Sequence, residues 1–418
     1  MRPSRLFAAL ALWAASLSVF ALETELDWTF ASTEVSVATA GAGTPSLSSY
    51  WRSVEQGSLQ DSATIGKGLT VFGTIWASFD NLPSDSPLSA PSDIVQGSSR
   101  VLEGGVSWEL LPGTLVFDVG KKIIHPSSGF FETPLDLMAR PTDPFEGPAA
   151  ISPWEEGWIG AGFTWLAEGF TLSDYLSPAL TWSSAADSVL HYVTSQQGDW
   201  QDLVRLSSRI GDTDIQALGL CTVDDPLSSS AAWHLAGGLG ADGQIGDALT
   251  LRAEAALHDS MTRITTDGSP SLGSETIDWV PRALAGLTWT ISDKLNLMAE
   301  YGYDGSKWSG VDYENLLAYE KARGSDMPDP LNSGEAFDSA ASYGFVRAAG
   351  DLGQSMNFDA WLKLNLQDAS GIFGGSASLT KDRWVAELRL EQSFGGSGTE
   401  AAFTFFRFRL EGEFTVLL

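Results

Sequence analysis

The sequence predicts an all-β fold, a closed antiparallel transmembrane β-barrel of about 16 strands, within a range of about 14–18. Three observations carry this expectation. A secretory signal opens the chain, period-two alternation fills most of the remainder, and tight turns alternate with long connections.

The signal comes first. Arg2 and Arg5 form a basic n-region, Leu6–Leu17 is apolar, and Val19-Phe20-Ala21 offers the small residues a signal peptidase reads. Residues 1–21 are therefore expected to be removed after Ala21, and the run falls short of the roughly 20 residues that span a bilayer as a helix. No Cys follows the apolar run, which excludes a lipid-anchored lipoprotein. The protein is expected to leave the cytoplasm for the outer membrane, with no transmembrane helix.

Composition narrows the function classes. The chain has 53 acidic and 24 basic residues, a formal charge of −29, and loss of Arg2 and Arg5 takes it to −31. That excess of acid excludes nucleic acid as a partner, which needs a basic stripe. A single Cys excludes a disulfide framework and a Cys-based zinc site. Charged residues make up 18%, below the roughly 25% of soluble domains. With 16 Trp, this points to a membrane surface.

Residues 22–68 are rich in Ser, Thr and Gly, carry Trp28, Tyr50 and Trp51, and are set apart as an N-terminal segment that adds strands or lines the periplasmic mouth. The barrel is expected over 69–418. Its strands should start near residues 69, 99, 114, 157, 170, 199, 214 and 230, then 248, 280, 294, 341, 355, 371, 383 and 406. Met356–Leu366 is the cleanest, with apolar residues at every even position and Asn357, Asp359, Trp361, Lys363 and Asn365 between them. Side chains alternate faces along a strand, so each run has one apolar and one polar face. Runs of about ten match the 9–11 residues of a tilted spanning strand. Short turns fall at Leu111-Pro112-Gly113, Ala167-Glu168-Gly169, Gly211-Asp212-Thr213, Ile291-Ser292-Asp293 and Thr380-Lys381-Asp382, with long outer loops between them.

A charge facing lipid at mid-membrane costs roughly 2–4 kcal/mol for Arg or Lys, so the polar faces must line a wet lumen. The candidate pore-lining residues are Arg205, Arg252, Glu254, Glu300, Lys363, Glu387, Arg389, Arg407, Arg409 and Glu411, with Arg209, Asp359 and Glu413 on the same faces. They form either a solvated, ion-paired wall or a cationic stripe that sets solute preference. About 16 strands exceed what side chains fill, so an aqueous channel is expected.

Leu115–Glu156 resembles a motif of bacterial outer-membrane porin-like barrels, including the alginate-export type. The resemblance rests on Val119-Gly120-Lys121-Lys122, Pro134-Leu135-Asp136 and Arg140-Pro141-Thr142-Asp143-Pro144. His125-Pro126-Ser127-Ser128-Gly129 replaces the usual Trp-Gly turn, and Thr133 the usual Asn. The resemblance implies an architecture and no substrate. Six prolines stiffen this loop by fixing φ. It either folds into the lumen as a constriction, with His125, Asp136, Arg140 and Asp143 at the narrowing, or forms a rigid outer surface.

Catalysis is not expected. His258-Asp259 and His125-Pro126-Ser127 are the only adjacent candidates, and His191 and His234 stand alone, without zinc-ligand spacing. Gly395-Gly396-Ser397-Gly398 lacks the Lys of a phosphate loop and reads as a turn. Asp304, Asp312, Asp326, Asp329 and Asp338 read as an acidic loop in preference to a calcium site. No cofactor or metal is expected. The leading function is a porin passing small hydrophilic solutes; the alternative is a structural or adhesive surface protein whose barrel displays loops. A carrier of hydrophobic compounds would need an apolar lumen. Expected partners are outer-membrane lipid, the assembly machinery that reads the terminal strand Phe406–Leu418, and small solutes. Trp108, Trp165, Trp279, Trp289 and Phe414 should form two aromatic girdles.

Overall fold

The computed structural model describes residues 23–39, 46–64, 68–81, 96–124, 126–130, 133–137, 158–177, 200–224, 232–265, 273–323, 340–381, 384–396, 398–402 and 408–417. Residues 1–21 lie outside that set, so the expected signal peptide has no structural description.

Among the described residues, eighteen strands form one antiparallel sheet, at the upper end of the expected 14–18. They are β1 (Glu23–Thr39), β2 (Ser46–Thr64), β3 (Leu69–Asn81), β4 (Gln96–Leu111), β5 (Leu115–Lys122) and β6 (Trp158–Ala167). Next come β7 (Phe170–Ser177), β8 (Trp200–Ile210), β9 (Thr213–Asp224), β10 (Ala232–Ile245), β11 (Leu249–Thr265) and β12 (Gly273–Ser292). The last are β13 (Leu295–Asp304), β14 (Ser342–Asp351), β15 (Met356–Asn365), β16 (Gly371–Lys381), β17 (Trp384–Phe394) and β18 (Phe408–Leu417). Each strand pairs with its sequence neighbours, and β1 pairs with both β2 and β18, so the pairing runs round a ring. The segment 22–68, set apart by the sequence, therefore supplies two strands of the same sheet. Local chemistry fits the tight turns: Gly211, with φ 63, takes the left-handed conformation that a side chain disfavours.

The ring separates two faces. On β11, Leu251 and Leu257 are exposed while Glu254 and Ala256 between them are buried. Leu388 on β17 is 57% exposed and Leu239 on β10 is 66% exposed. These apolar positions face outward and most charged positions face in; Asp174 on β7 and Asp202 on β8 are exceptions that share the outer face with Leu176 and Val204. Large rings mark both ends of the outer face. Trp108, Trp165 and Trp289 stand exposed next to short turns, and Trp200, Trp233 and Trp279 stand exposed next to long connections. The side chain of Phe414 lies outside the described set.

This two-faced wall has a direct chemical consequence. In a Cys221→Ala background within lipid vesicles, Leu251→Cys and Leu388→Cys should resist a water-soluble maleimide. Lys363→Cys and Arg389→Cys should label readily. Equal labelling of both pairs would contradict the assignment of faces.

Candidate functional site

The inner face carries an in-folded segment between β5 and β6. Its apolar anchor is Leu135, fully buried against Tyr175, Leu203, Leu218 and Leu220 of β7–β9. A Cβ on Gly240 would come within 2.6 Å of Leu135, so the glycine is what lets the segment approach β10 this closely. Asp136 accepts a hydrogen bond from the Ser127 backbone N–H at 2.9 Å, tying the two described limbs of the segment together. Gln216 on β9 donates from Nε2 to the Pro126 carbonyl at 2.6 Å.

Two acids of the wall hold its other end. Glu254 on β11 accepts from the Ser127 hydroxyl, the Ser128 backbone N–H and the Ser128 hydroxyl. Glu300 on β13 accepts from the Phe130 backbone N–H at 3.1 Å and from Arg252 Nη1 at 2.9 Å. The Phe130 ring stacks on Phe345 at 5.3 Å, and the Arg347 guanidinium lies 4.3 Å from the centre of the Phe130 ring. Charged hydrogen-bond acceptors of this kind are worth about 1.5–3 kcal/mol each, and a buried carboxylate without partners would be far costlier. The segment is thus held by the wall and holds it in return.

This corrects the reading of three residues. Glu254 and Glu300 are each 4% exposed and bind backbone, so they do not face open lumen. Arg252, bonded to Glu300 and Thr288, is engaged with the wall. Of the loop candidates, Asp136 is buried within the in-folded segment, while His125, Arg140 and Asp143 lie outside the described residues.

The remaining candidates divide by location. Lys363 Nζ sits 4.6 Å from the centre of the Tyr343 ring. Arg389 on β17 donates to Glu387 at 3.1 Å. Arg389 and Glu387 line a polar hollow of about 450 Å³ with Arg347 and Asp359, themselves an ion pair, and with Ser376 and Ser378. Arg409 and Glu411 stand on β18 opposite Glu391 and Arg389 in register; their side chains, and Arg407 altogether, lie outside the described set. Arg205 on β8 is half-buried in a second hollow below Pro126. The sequence singles out neither Arg347 nor Phe130, and marks Ser127 and Ser128 only as part of a turn and of a rejected catalytic candidate. For Arg347 the signal was weak because Tyr343 and Phe345 put aromatics on the inner face of β14, which blurs the apolar–polar alternation.

A second in-folded element was unexpected. The stretch read as an acidic loop contains helix α1 (Gly310–Arg323). Its Tyr313, Leu316 and Tyr319 are buried, and Tyr313 packs with Tyr343 and Ile372 of the inner face. Tyr313 donates to Asp368, Asn365 donates to Tyr313 and to Glu400, and Tyr343 donates to Glu400. Burial, then the charges of Glu400 and Asp368, push the Tyr313 phenol well above its ordinary value, so it stays a neutral donor. This network fastens three connections at one end of the sheet. Asp304 is likewise structural, ion-paired to Arg282 at 3.1 Å.

His234 is not alone, as the sequence suggested. Its Nδ1 lies 3.0 Å from the Ser260 hydroxyl and 3.8 Å from Asp259. A nucleophilic relay needs serine and carboxylate on opposite ring nitrogens; here both approach the same one. No metal-binding group of three or more His, Cys, Asp or Glu occurs among the described residues.

No protein-family model and no curated protein matches the chain. Solved structures do. The OccAB3 structure of Acinetobacter baumannii aligns over 95% of this chain and 100% of its own, with a TM-score of 0.51 at 12% identity. The fold is that of a porin-like β-barrel. Salmonella typhi OmpF in complex with daunomycin aligns over 95% and 97% with a TM-score of 0.49 at 10% identity. A triple mutant of Rhodopseudomonas blastica porin gives 95% and 100%, 0.44 and 10%. The anchored segment packs on the inner face of this barrel, and α1 packs through Tyr313 against Tyr343 and Ile372 at one end of it.

Proposed function

We propose that this protein is an outer-membrane channel for passive diffusion of small hydrophilic solutes, narrowed by the in-folded residues 126–130 and 133–137. The observation that carries this is the charged inner wall, anchored to that segment through Glu254 and Glu300, enclosed by an apolar outer wall. Trp279 and Trp289 lie on one strand, separated by roughly 33 Å at about 3.3 Å per residue. At a tilt of about 40° this covers roughly 25 Å, the height of the apolar band of outer-membrane barrels. Short turns then face the periplasm with both chain ends, and long connections face outward. The signal peptide and the terminal strand deliver the chain to that membrane.

Liposome swelling tests the reading. Vesicles holding the purified protein should swell in isotonic arabinose and progressively less in larger sugars. The adhesin alternative calls for no swelling in any sugar. Selectivity follows local charge, because loop charges beyond roughly 8–10 Å are screened at physiological salt. Arg389, with Arg409 on the neighbouring strand and Arg407 next to that strand in the sequence, gives a mild anion preference moderated by Glu387 and Glu411. Arg389→Glu with Arg407→Glu should therefore shift the reversal potential in a salt gradient toward cations. An unchanged potential would make these residues paired structure.

A further inference from the structure

The outer wall carries a recess that conduction does not use. A groove of about 750 Å³ crosses that wall from β10 to β14. Its floor is a row of small residues in register across three strands, Ala241, Ala253 and Ala285, which runs on to Tyr301 of β13 and Gly344 of β14. The next row on the same face raises Leu251, Leu287 and Val346 as an exposed ridge along one side. Because the row follows the strand register, the groove is straight. Five strands about 4.8 Å apart give it a length of about 19 Å.

Placement and shape narrow the occupant. Ala285 lies between Trp279 and Trp289 on β12, so the groove opens within the apolar band and not to bulk water. A stable protein interface needs about 800 Å² of close-packed surface from each partner, and the ridge would hold a flat barrel wall away from the alanines. A slender chain reaches them. Lipid tails are as apolar as the wall, so a neighbour is selected there by close packing over small residues, and an unfilled recess forfeits those contacts. A saturated chain lies straight along the row, whereas a cis double bond turns the chain out of it. At the β10 end the groove reaches Thr213, Gln244 and Ile245, beside tight turns that carry the exposed Asp212 and Asp247. Arg209 is on the inner face, opposite Asp214 in the register. Negative charge at that end disfavours an anionic headgroup and favours an ammonium.

We propose that this groove seats one straight, saturated chain of a phosphatidylethanolamine from the periplasmic leaflet, with the ammonium of its headgroup near Asp212 and Asp247. The inference takes from the channel reading only the membrane and the side on which the short turns lie; it does not need the barrel to conduct.

Native mass spectrometry of the detergent-purified protein, titrated with defined lipids, tests it. Dipalmitoyl phosphatidylethanolamine should be retained by the wild type as a single, saturable adduct. The dioleoyl form should bind about fivefold more weakly, equivalent to about 1 kcal/mol of lost packing. Ala253→Leu with Ala285→Leu fills the floor and should abolish the adduct, while the unfolding temperature and the conductance in KCl stay at wild-type values. Asp212→Asn with Asp247→Asn leaves the groove intact and should remove the preference for dipalmitoyl phosphatidylethanolamine over dipalmitoyl phosphatidylglycerol. Equal retention of the dioleoyl form, or an undiminished adduct in the leucine variant, would overturn the seat. An unchanged headgroup preference in the asparagine variant would overturn the part given to the two aspartates. A wild-type oligomer that the leucine variant reduces to monomer would overturn the lipid and give the groove to a second copy of the chain. A barrel that retains the lipid but never conducts would keep the seat and refute the channel.

Discussion

Substituting Glu254 and Glu300 together by alanine is expected to release the in-folded segment and raise single-channel conductance well above that of the wild type, with added open-channel noise. Glu254 takes three hydrogen bonds from Ser127 and Ser128, and Glu300 takes one from the Phe130 N–H and one from Arg252. At about 1.5–3 kcal/mol for each hydrogen bond to a charge, the pair contributes several kcal/mol to holding that limb. The double variant also strands the Arg252 guanidinium, a buried charge without its partner, which adds to the cost. Leu135 keeps the other limb in its apolar pocket, so the barrel itself should persist. Planar-bilayer recordings of the variant beside the wild type check this. Unchanged conductance would mean that the segment does not narrow the path.

Removing Glu413–Leu418 is expected to abolish insertion altogether. These residues pair on one side with β17, from Trp384↔Val416 to Glu387↔Glu413, and on the other with β1, from Asp27↔Leu417 to Ala31↔Glu413. Truncation opens the ring there and leaves strand-edge N–H and C=O groups of β1 and β17 without partners. In hydrocarbon each such group costs several kcal/mol, and only a closed sheet avoids the cost. Fractionation should find the truncated chain degraded or aggregated in the periplasm and missing from the membrane. Normal amounts in the membrane would contradict the role of β18 in closing the ring.

Most of the wall was legible because one face of each strand must be apolar and the other polar. Met356–Asn365 and Leu249–Ala255 announce themselves by alternation, and the starts at Leu69, Phe170 and Gly371 coincide with the expected ones. The first two strands were harder. In β1 the apolar residues Leu26, Trp28 and Phe30 fall on even positions and Val35 and Val37 on odd ones, and β2 is mostly polar. Helix α1 left a trace in the spacing of Tyr313, Leu316 and Tyr319, masked by the acids around it. The roles of Glu254 and Glu300 could not be read from their strands. Both look like ordinary lumenal charges, and the backbone they hold lies more than a hundred residues away in the chain. Alternation reports the face of a side chain and is silent on what later folds over that face.

The central claim is that this barrel encloses an open, water-filled path. Single-channel recording of the purified full-length protein in a planar bilayer in KCl tests it most directly. The expected result is discrete, ohmic opening steps that persist without ligand. Folded, membrane-inserted protein that leaves the bilayer silent would contradict it.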